Sequence, residues 1–95
     1  MKFVWDEAMA AANYAKHGVA FERVFDFDWE LSLDTVDLRK DYGESRVIAV
    51  STIEHRLHVL VYALRGDTVR VISLRKANGR EVRNYEKVKS TKRKS

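Results

Sequence analysis

The chain has 95 residues, of which 45% are apolar and 34% charged, and it contains neither cysteine nor proline. This length predicts a single domain with a thin core, and the lack of cysteine excludes a disulfide framework, a thiolate nucleophile and cysteine-ligated zinc. No apolar run approaches the ~20 residues that cross a bilayer. The acidic residues Asp6 and Glu7 interrupt the apolar run that a signal peptide would need in the first ten residues. We therefore predict a cytoplasmic protein without membrane contact.

The net charge of +4 is unevenly distributed along the chain. Residues 1–45 carry five Lys or Arg and ten Asp or Glu, whereas residues 46–95 carry thirteen and four. This asymmetry favours two surfaces with different partners. Five of the positive charges lie in residues 87–95. We predict one domain over residues 1–88, followed by a disordered basic tail at 89–95.

The N-terminal part of the sequence predicts two helices. Asp6 is a favourable N-cap, residues 7–17 are rich in helix-forming alanine, and Gly18 suits the left-handed position that ends a helix. Apolar residues spaced i, i+3 and i+4 then predict a short second helix over about residues 20–26.

Four strands and a third helix follow. Apolar and β-branched residues predict strands over residues 32–38, 46–53, 57–64 and 68–76. The connections between them are too short for parallel crossovers, so the strands must pair antiparallel. Asn78, with Glu81 three positions later, resembles the capping box of a C-terminal helix. The order ααββββα predicts an α+β domain with two N-terminal helices, a four-stranded antiparallel sheet and a C-terminal helix.

Short strings along the chain form an ordered set. They are Phe3-x-Trp5-Asp6, Asn13-x-x-Lys16-His17-Gly18-Val19-x-Phe21, Val24-Phe25, Gly43-Glu44-x-Arg46, Arg65-Gly66, Arg70-Val71-Ile72-Ser73-Leu74-Arg75-Lys76-Ala77, Arg80-Glu81 and Tyr85. In this order they resemble the BrnT family, the toxin half of the bacterial BrnT/BrnA toxin–antitoxin pair. The resemblance runs over about residues 1–87 and implies a fold like that of the RelE ribonucleases.

The same resemblance implies a function. It suggests an endoribonuclease toxin that cleaves RNA without a metal ion or other cofactor and so inhibits translation and growth. It also implies neutralisation by a BrnA-like antitoxin, contact with operator DNA only through that antitoxin, and a toxin dimer within a 2:2 complex. On the residues alone, two alternatives stay open: a non-catalytic nucleic-acid-binding module, and a structural subunit that holds a partner.

Metal-independent RNA cleavage requires a base for the 2′-hydroxyl proton, cations for the phosphate oxygens and an acid for the leaving 5′ oxygen. Arginine suits the second role, because it is always charged and directs two donors at phosphate oxygens. We expect Arg75, with Arg65 and Arg46, to stabilise the transition state, although an arginine on a strand is more commonly a solvated or salt-bridged surface residue. In a regular strand Arg70 and Arg75 would lie on opposite faces, unless a bulge intervenes.

Proton transfer has three candidates. His17 titrates near neutral pH, although the dipole at a helix C-terminus also favours a histidine there. Glu44 follows a turn glycine and is a candidate base. Tyr85 is a candidate proton donor or stacking partner for a base, or else a core residue. The further cations that we expect to contact RNA are Lys16, Arg70, Lys76, Arg80 and Arg83.

Two remaining patterns carry no catalytic prediction. His55 and His58 are three residues apart, but they straddle a predicted turn and have no third ligand nearby in sequence, so we predict no metal site. The acidic residues between positions 26 and 41 mimic nucleic acid, meet a basic partner or form a solvated sheet edge, and the sequence leaves these alternatives open.

Overall fold

The computed structural model describes residues 1–39, 41 and 43–93, without the side chains of residues 92 and 93. Its elements in chain order are β1 (Lys2–Val4), α1 (Glu7–His17), 3₁₀ helices at Phe21–Asp26 and Trp29–Leu31, β2 (Leu33–Val36), β3 (Arg46–Ile53), β4 (Arg56–Arg65), β5 (Thr68–Lys76) and α2 (Gly79–Arg93). The strands form one mixed sheet in the order β1-β5-β4-β3-β2. Among these strands β1 pairs parallel with β5, and the other three pairings are antiparallel. The predicted α+β class is confirmed.

The ends of α1 follow the predicted capping residues. The Asp6 carboxylate accepts a hydrogen bond from the Met9 backbone N–H at 3.0 Å. Gly18 has φ 71°, and its N–H donates to the Tyr14 carbonyl. Glycine adopts this left-handed conformation without the steric cost of a β-carbon, so the helix ends at the residue before it.

The N-terminal region corrects the predicted architecture in two respects. Residues 2–4, which we did not predict as a strand, form β1, and its partner Thr68 lies 66 positions after Lys2. The sheet is therefore five-stranded and mixed, not four-stranded and antiparallel. The second helix is also 3₁₀ rather than α-helical. The buried residues Phe21, Val24 and Phe27 repeat every three positions, which matches three residues per turn.

The two faces of the sheet are covered unequally. One face, here called the α1 face, packs against α1 and the 3₁₀ helices through the main core cluster. That cluster includes Phe21, Val24, Ala49, Ile53, Leu60, Val69, Val71 and Leu74. The other face, here called the α2 face, carries a smaller buried cluster of Leu57, Val59 and Ala77, against which Val82 and Tyr85 of α2 pack.

A bulge in β5 changes which side chains share a face. The pairing between β4 and β5 shifts by one residue, and Ile72 has no partner on β4. The buried positions of β5 accordingly are Val69, Val71 and Leu74. Because the extra residue reverses the alternation, Arg70 and Arg75 both lie on the α2 face.

The first turns of α2 hold this helix to the sheet. The predicted capping box is confirmed: the Asn78 side chain accepts from the Glu81 N–H, and the Glu81 carboxylate accepts from the Asn78 N–H, both at 2.9 Å. The helix continues to Arg93, so residues 89–93, predicted as part of a disordered tail, belong to α2. Residues 94 and 95 lie outside the described residues. Neither helix, over the described ranges, combines the length and apolar content of a membrane span.

Candidate functional site

Three arginines converge on one carboxylate at the end of the sheet where β3 begins. The Glu44 carboxylate lies 3.4 Å from Arg46 Nε and 3.6 Å from Arg65 Nη2. It also accepts a hydrogen bond from Arg70 Nη2. We call these four residues the Glu44 cluster. Two sequence-predicted catalytic arginines, Arg46 and Arg65, thus meet the predicted base, together with Arg70.

The strand register brings the cluster together. Arg46 of β3 and Arg70 of β5 both pair with Ala63 of β4. Side chains directly opposite one another point to the same face, so these arginines are two strand spacings apart, about 10 Å between Cα atoms. Ala63, 1% exposed, lies between them and leaves space for both guanidinium groups above its methyl group. Arg65 lies two positions further along β4 and shares the face.

The electrostatics of the cluster favour an anionic ligand. The hydrogen bond from Arg70 and, more weakly, that from Arg46 hold the pKa of Glu44 below its ordinary value of 4.5, although burial opposes the change. Glu44 is therefore ionised at neutral pH, and the three arginines leave an excess of two positive charges. The Arg65 side chain is 74% exposed, so solvent and ligands reach the cluster.

Arg75 does not join this cluster. Its Nη1 and Nη2 donate to the two carboxylate oxygens of Glu81, both at 2.8 Å. These hydrogen bonds raise the pKa of Arg75 and lower that of Glu81. The pair connects the end of β5 to the first turn of α2. The structure thus brings Arg70, rather than Arg75, to Arg46 and Arg65.

The other two candidates for proton transfer also lie elsewhere. His17 is in the last turn of α1, which packs on the opposite face of the sheet from Glu44. Desolvation, and then the neighbouring cations, lower the pKa of His17, so its ring is neutral at pH 7. The Tyr85 hydroxyl donates to the Leu31 carbonyl at 2.7 Å and holds α2 to the second 3₁₀ helix. Of the three candidates, only Glu44 lies beside Arg46, Arg65 and Arg70, whereas His17 is close enough to Arg75 for that charge to lower its pKa.

The cations predicted to contact RNA are distributed over several surfaces. Arg70 belongs to the Glu44 cluster, whereas Lys76 borders a pocket beside the turn between β3 and β4. Lys16 is exposed near the end of α1, and Arg80 and Arg83 are exposed on α2. No single groove therefore collects all five.

Asn13 has a structural role that the sequence analysis did not assign. Its side-chain amide donates to the Leu74 carbonyl at 2.7 Å and to the Val19 carbonyl at 3.0 Å, and its oxygen accepts from the Leu74 N–H at 3.2 Å. β1 pairs only with residues 68–70 of β5, and at Leu74 the Asn13 side chain makes the backbone hydrogen bonds that a neighbouring strand would otherwise make. The sequence did carry a signal for this role: Asn13 stands among helix-forming alanines. Asparagine disfavours a helix interior, because its amide competes for the backbone hydrogen bonds of the helix unless it bonds to another part of the chain.

The comparison with protein families identifies the chain's relatives. The family model described as "Ribonuclease toxin, BrnT, of type II toxin-antitoxin system" matches residues 5–81. The chain belongs to the BrnT family. The BrnT match covers the whole Glu44 cluster and ends at Glu81, so Tyr85 and most of α2 lie outside it. None of the curated proteins compared with the chain matches it. Membership makes this a ribonuclease toxin of a type II system, which implies an antitoxin partner.

Proposed function

We propose that the Glu44 cluster is the catalytic site and cleaves RNA without a metal ion. The observation that supports this is the convergence of three guanidinium groups on one solvent-reachable carboxylate. Guanidinium groups keep their charge at every relevant pH and direct paired donors at phosphate oxygens. Donors held in place before the reaction stabilise the additional charge on the phosphate oxygens in the transition state.

Glu44 supplies the base in this mechanism. Its carboxylate takes the proton of the 2′-hydroxyl, the 2′ oxygen attacks the adjacent phosphorus, and the bond from phosphorus to the 5′ oxygen breaks. The leaving oxygen takes a proton from solvent, and the products are a 2′,3′-cyclic phosphate and a 5′-hydroxyl end. An incoming phosphate competes for the hydrogen bond of Arg70, the largest cause of the low pKa of Glu44. Substrate binding therefore makes Glu44 a stronger base.

The test is cleavage of RNA by the purified protein in EDTA, with the new ends identified. Glu44→Gln removes the base and Arg70→Ala removes a phosphate donor, and each is expected to slow cleavage about 100-fold or more. Glu22→Gln and Lys2→Ala make matched changes at exposed positions and should leave the rate unchanged. Intact RNA at high enzyme concentration, cleavage only with added metal, or wild-type rates in both cluster variants would refute the proposal.

We further propose that the antitoxin is BrnA-like, that it alone connects the toxin to operator DNA, and that the complex contains two copies of each chain. The type II family match supports a protein antitoxin. Expression of the chain alone should arrest bacterial growth, and co-expression of the antitoxin should restore it. The mass of the purified complex tests the 2:2 composition. Normal growth with the chain alone would contradict a toxin.

A further inference from the structure

A second group of cations borders a pocket beside the turn between β3 and β4. The pocket has a volume of about 330 Å³. The residues that line it are Arg23, Ile53, Glu54, Arg56, His58 and Lys76. We call it the His58 pocket. Arg46 and Ile53 are seven positions apart in β3, about 23 Å at 3.3 Å per residue, so this pocket is separate from the Glu44 cluster.

Strand pairing places the pocket on the α1 face. Arg56 is opposite Ile53, and Lys76 is opposite His58. Ile53 belongs to the core of the α1 face, and Arg56 and His58, two positions apart on β4, share it. Arg23 comes from the first 3₁₀ helix, which packs on the same face. Three elements thus contribute the three cations around His58.

His58 presents a hydrogen-bond acceptor to the pocket. The residue is 4% exposed, and its Nδ1 lies 2.7 Å from the Arg56 carbonyl oxygen. A carbonyl only accepts, so Nδ1 carries the hydrogen and Nε2 of the neutral ring is the acceptor. Over the described residues every buried side-chain nitrogen or oxygen has a partner, and His58 has only its Nδ1 contact. Its Nε2 is therefore not fully enclosed, and in the pocket that His58 lines it can accept a hydrogen bond from a ligand.

The ring stays neutral at pH 7 for two physical reasons. Burial lowers the pKa of His58 most, and the charges of Arg23, Arg56 and Lys76 lower it further, against an opposing effect of the hydrogen bond to the Arg56 carbonyl. A neutral ring among three cations is an acceptor surrounded by donors.

The cations are available to an incoming anion. Arg23 lies 3.4 Å from Glu54 and 3.6 Å from Asp26, whose side chains are 76% and 57% exposed. Exposed ion pairs of this kind contribute little stability, so a ligand can replace them. Glu54 lines the pocket and Asp26 also pairs with Arg23, so the three cations leave an excess of one positive charge.

We propose that the His58 pocket binds a ribonucleotide through its phosphate and the adjacent 2′-hydroxyl. Arg23, Arg56 and Lys76 donate to the phosphate oxygens, and the hydroxyl donates to His58 Nε2. These three donors and one acceptor suit a ligand with an anion and a hydroxyl side by side, and a ribose 3′-phosphate has both. A deoxyribonucleotide lacks the hydroxyl and would leave Nε2 covered without a partner. This site goes beyond the proposed cleavage site and does not depend on it.

The test uses adenosine 3′-monophosphate, its 2′-deoxy analogue and inorganic phosphate as separate probes. The nucleotide has no 5′-linked leaving group and cannot be cleaved. Binding is followed by the ¹⁵N signals of the His58 ring and by the backbone amide signals of residues 54–58 and 76. The ribonucleotide should shift these signals, and its 2′-deoxy analogue should bind about tenfold more weakly, because it lacks the hydroxyl that donates to Nε2. Inorganic phosphate can donate to Nε2 only through a protonated oxygen that the cations then lose as an acceptor, so it should also bind more weakly than the ribonucleotide.

Two variants test the individual contacts. Lys76→Ala should weaken both nucleotides about tenfold, whereas Lys2→Ala, an equal charge change at an exposed position, should not. His58→Asn keeps a donor to the Arg56 carbonyl but removes the Nε2 acceptor, so ribonucleotide and deoxyribonucleotide should bind equally. If His58→Asn does not fold, two results still test the proposal: the relative affinities of the three probes for the wild-type protein, and the loss of nucleotide affinity in Lys76→Ala.

Three results would overturn the proposal: no shift at His58, equal binding of the two nucleotides by the wild-type protein, or inorganic phosphate binding as tightly as the ribonucleotide. Arg70→Ala separates this site from the cleavage site. It should slow cleavage about 100-fold or more and leave the nucleotide-induced shifts at His58 unchanged, so each proposal can fail while the other stands.

Discussion

Replacing Asn13 with alanine should strongly destabilise the fold, although the residue contacts no proposed substrate. The substitution removes three hydrogen bonds to the backbone of Leu74 and Val19, each worth about 1 kcal/mol. Alanine is the better helix former and recovers about 0.5 kcal/mol. The expected loss is therefore about 2.5 kcal/mol, which for a domain of this size lowers Tm by about 10–20 °C. Urea unfolding followed by circular dichroism measures the loss directly.

Two further variants make this prediction specific. Asn84→Ala, the same change at an exposed position of α2, should leave stability within about 0.5 kcal/mol of the wild-type value. Asn13→Asp keeps the shape but replaces the donor to two carbonyls with a carboxylate oxygen, so it should lose at least as much as the alanine variant. A loss below 1 kcal/mol in Asn13→Ala would refute the structural role, and the family string around Asn13 would then need a functional explanation.

Three other predictions concern the connections between elements. Arg75→Ala should lower stability by about 1 kcal/mol, because the pair with Glu81 is about one-third exposed, and should change RNA cleavage less than twofold. Folding lowers the pKa of Glu81 below 4.5, so its pair with Arg75 contributes fully to stability above pH 4.5. This contribution is lost as the pH falls through the lower pKa of the folded state. In Glu81→Gln the free energy of unfolding should therefore depend less on pH below pH 4.5 than in the wild-type protein. Gly18→Ala should cost about 1 kcal/mol in urea unfolding, because φ 71° is unfavourable for alanine although the space is open.

Elements with local signals were predictable from the sequence, and those that depend on distant partners were not. The bounds of α1, β3 and β5 follow capping residues and β-branched runs, and all three are confirmed. β1 has three residues and exists only because β5 offers an unpaired edge. The bulge at Ile72 adds one residue without a Gly or other local marker, so no pattern in the sequence could place it.

The acidic residues between positions 26 and 41 show how a charge pattern conceals local structure. Asp28 caps the second 3₁₀ helix through the N–H groups of residues 30 and 31. Asp34 accepts a hydrogen bond from the Tyr62 hydroxyl at 2.7 Å, and Asp37, 6% exposed, pairs with Arg39. Three of these carboxylates thus stabilise the approach to β2 and the segment after it. A basic partner is not needed to explain them.

The grouping of the three arginines in the Glu44 cluster follows from the two hairpin turns. The turn between β3 and β4 pairs Ile53 with Arg56, and counting back along both strands pairs Arg46 with residue 63. The turn between β4 and β5 pairs residue 65 with residue 68, and so residue 63 with Arg70. Both arginines therefore meet over one position, and Arg65 is two positions away.

The same counting separates Arg75 from the cluster. It lies five positions beyond Arg70, about 16 Å along β5, and no hairpin register brings it back to the end of the sheet where Arg46 lies. The strings shared with the family favoured Arg75 as a catalytic arginine, because the residues next to it in sequence match the family. Strand pairing places Arg70 rather than Arg75 beside Arg46 and Arg65, which is why the proposed site includes Arg70. Residues that act on one phosphate must be close in space, and in an antiparallel sheet that proximity is set by distance from the turns.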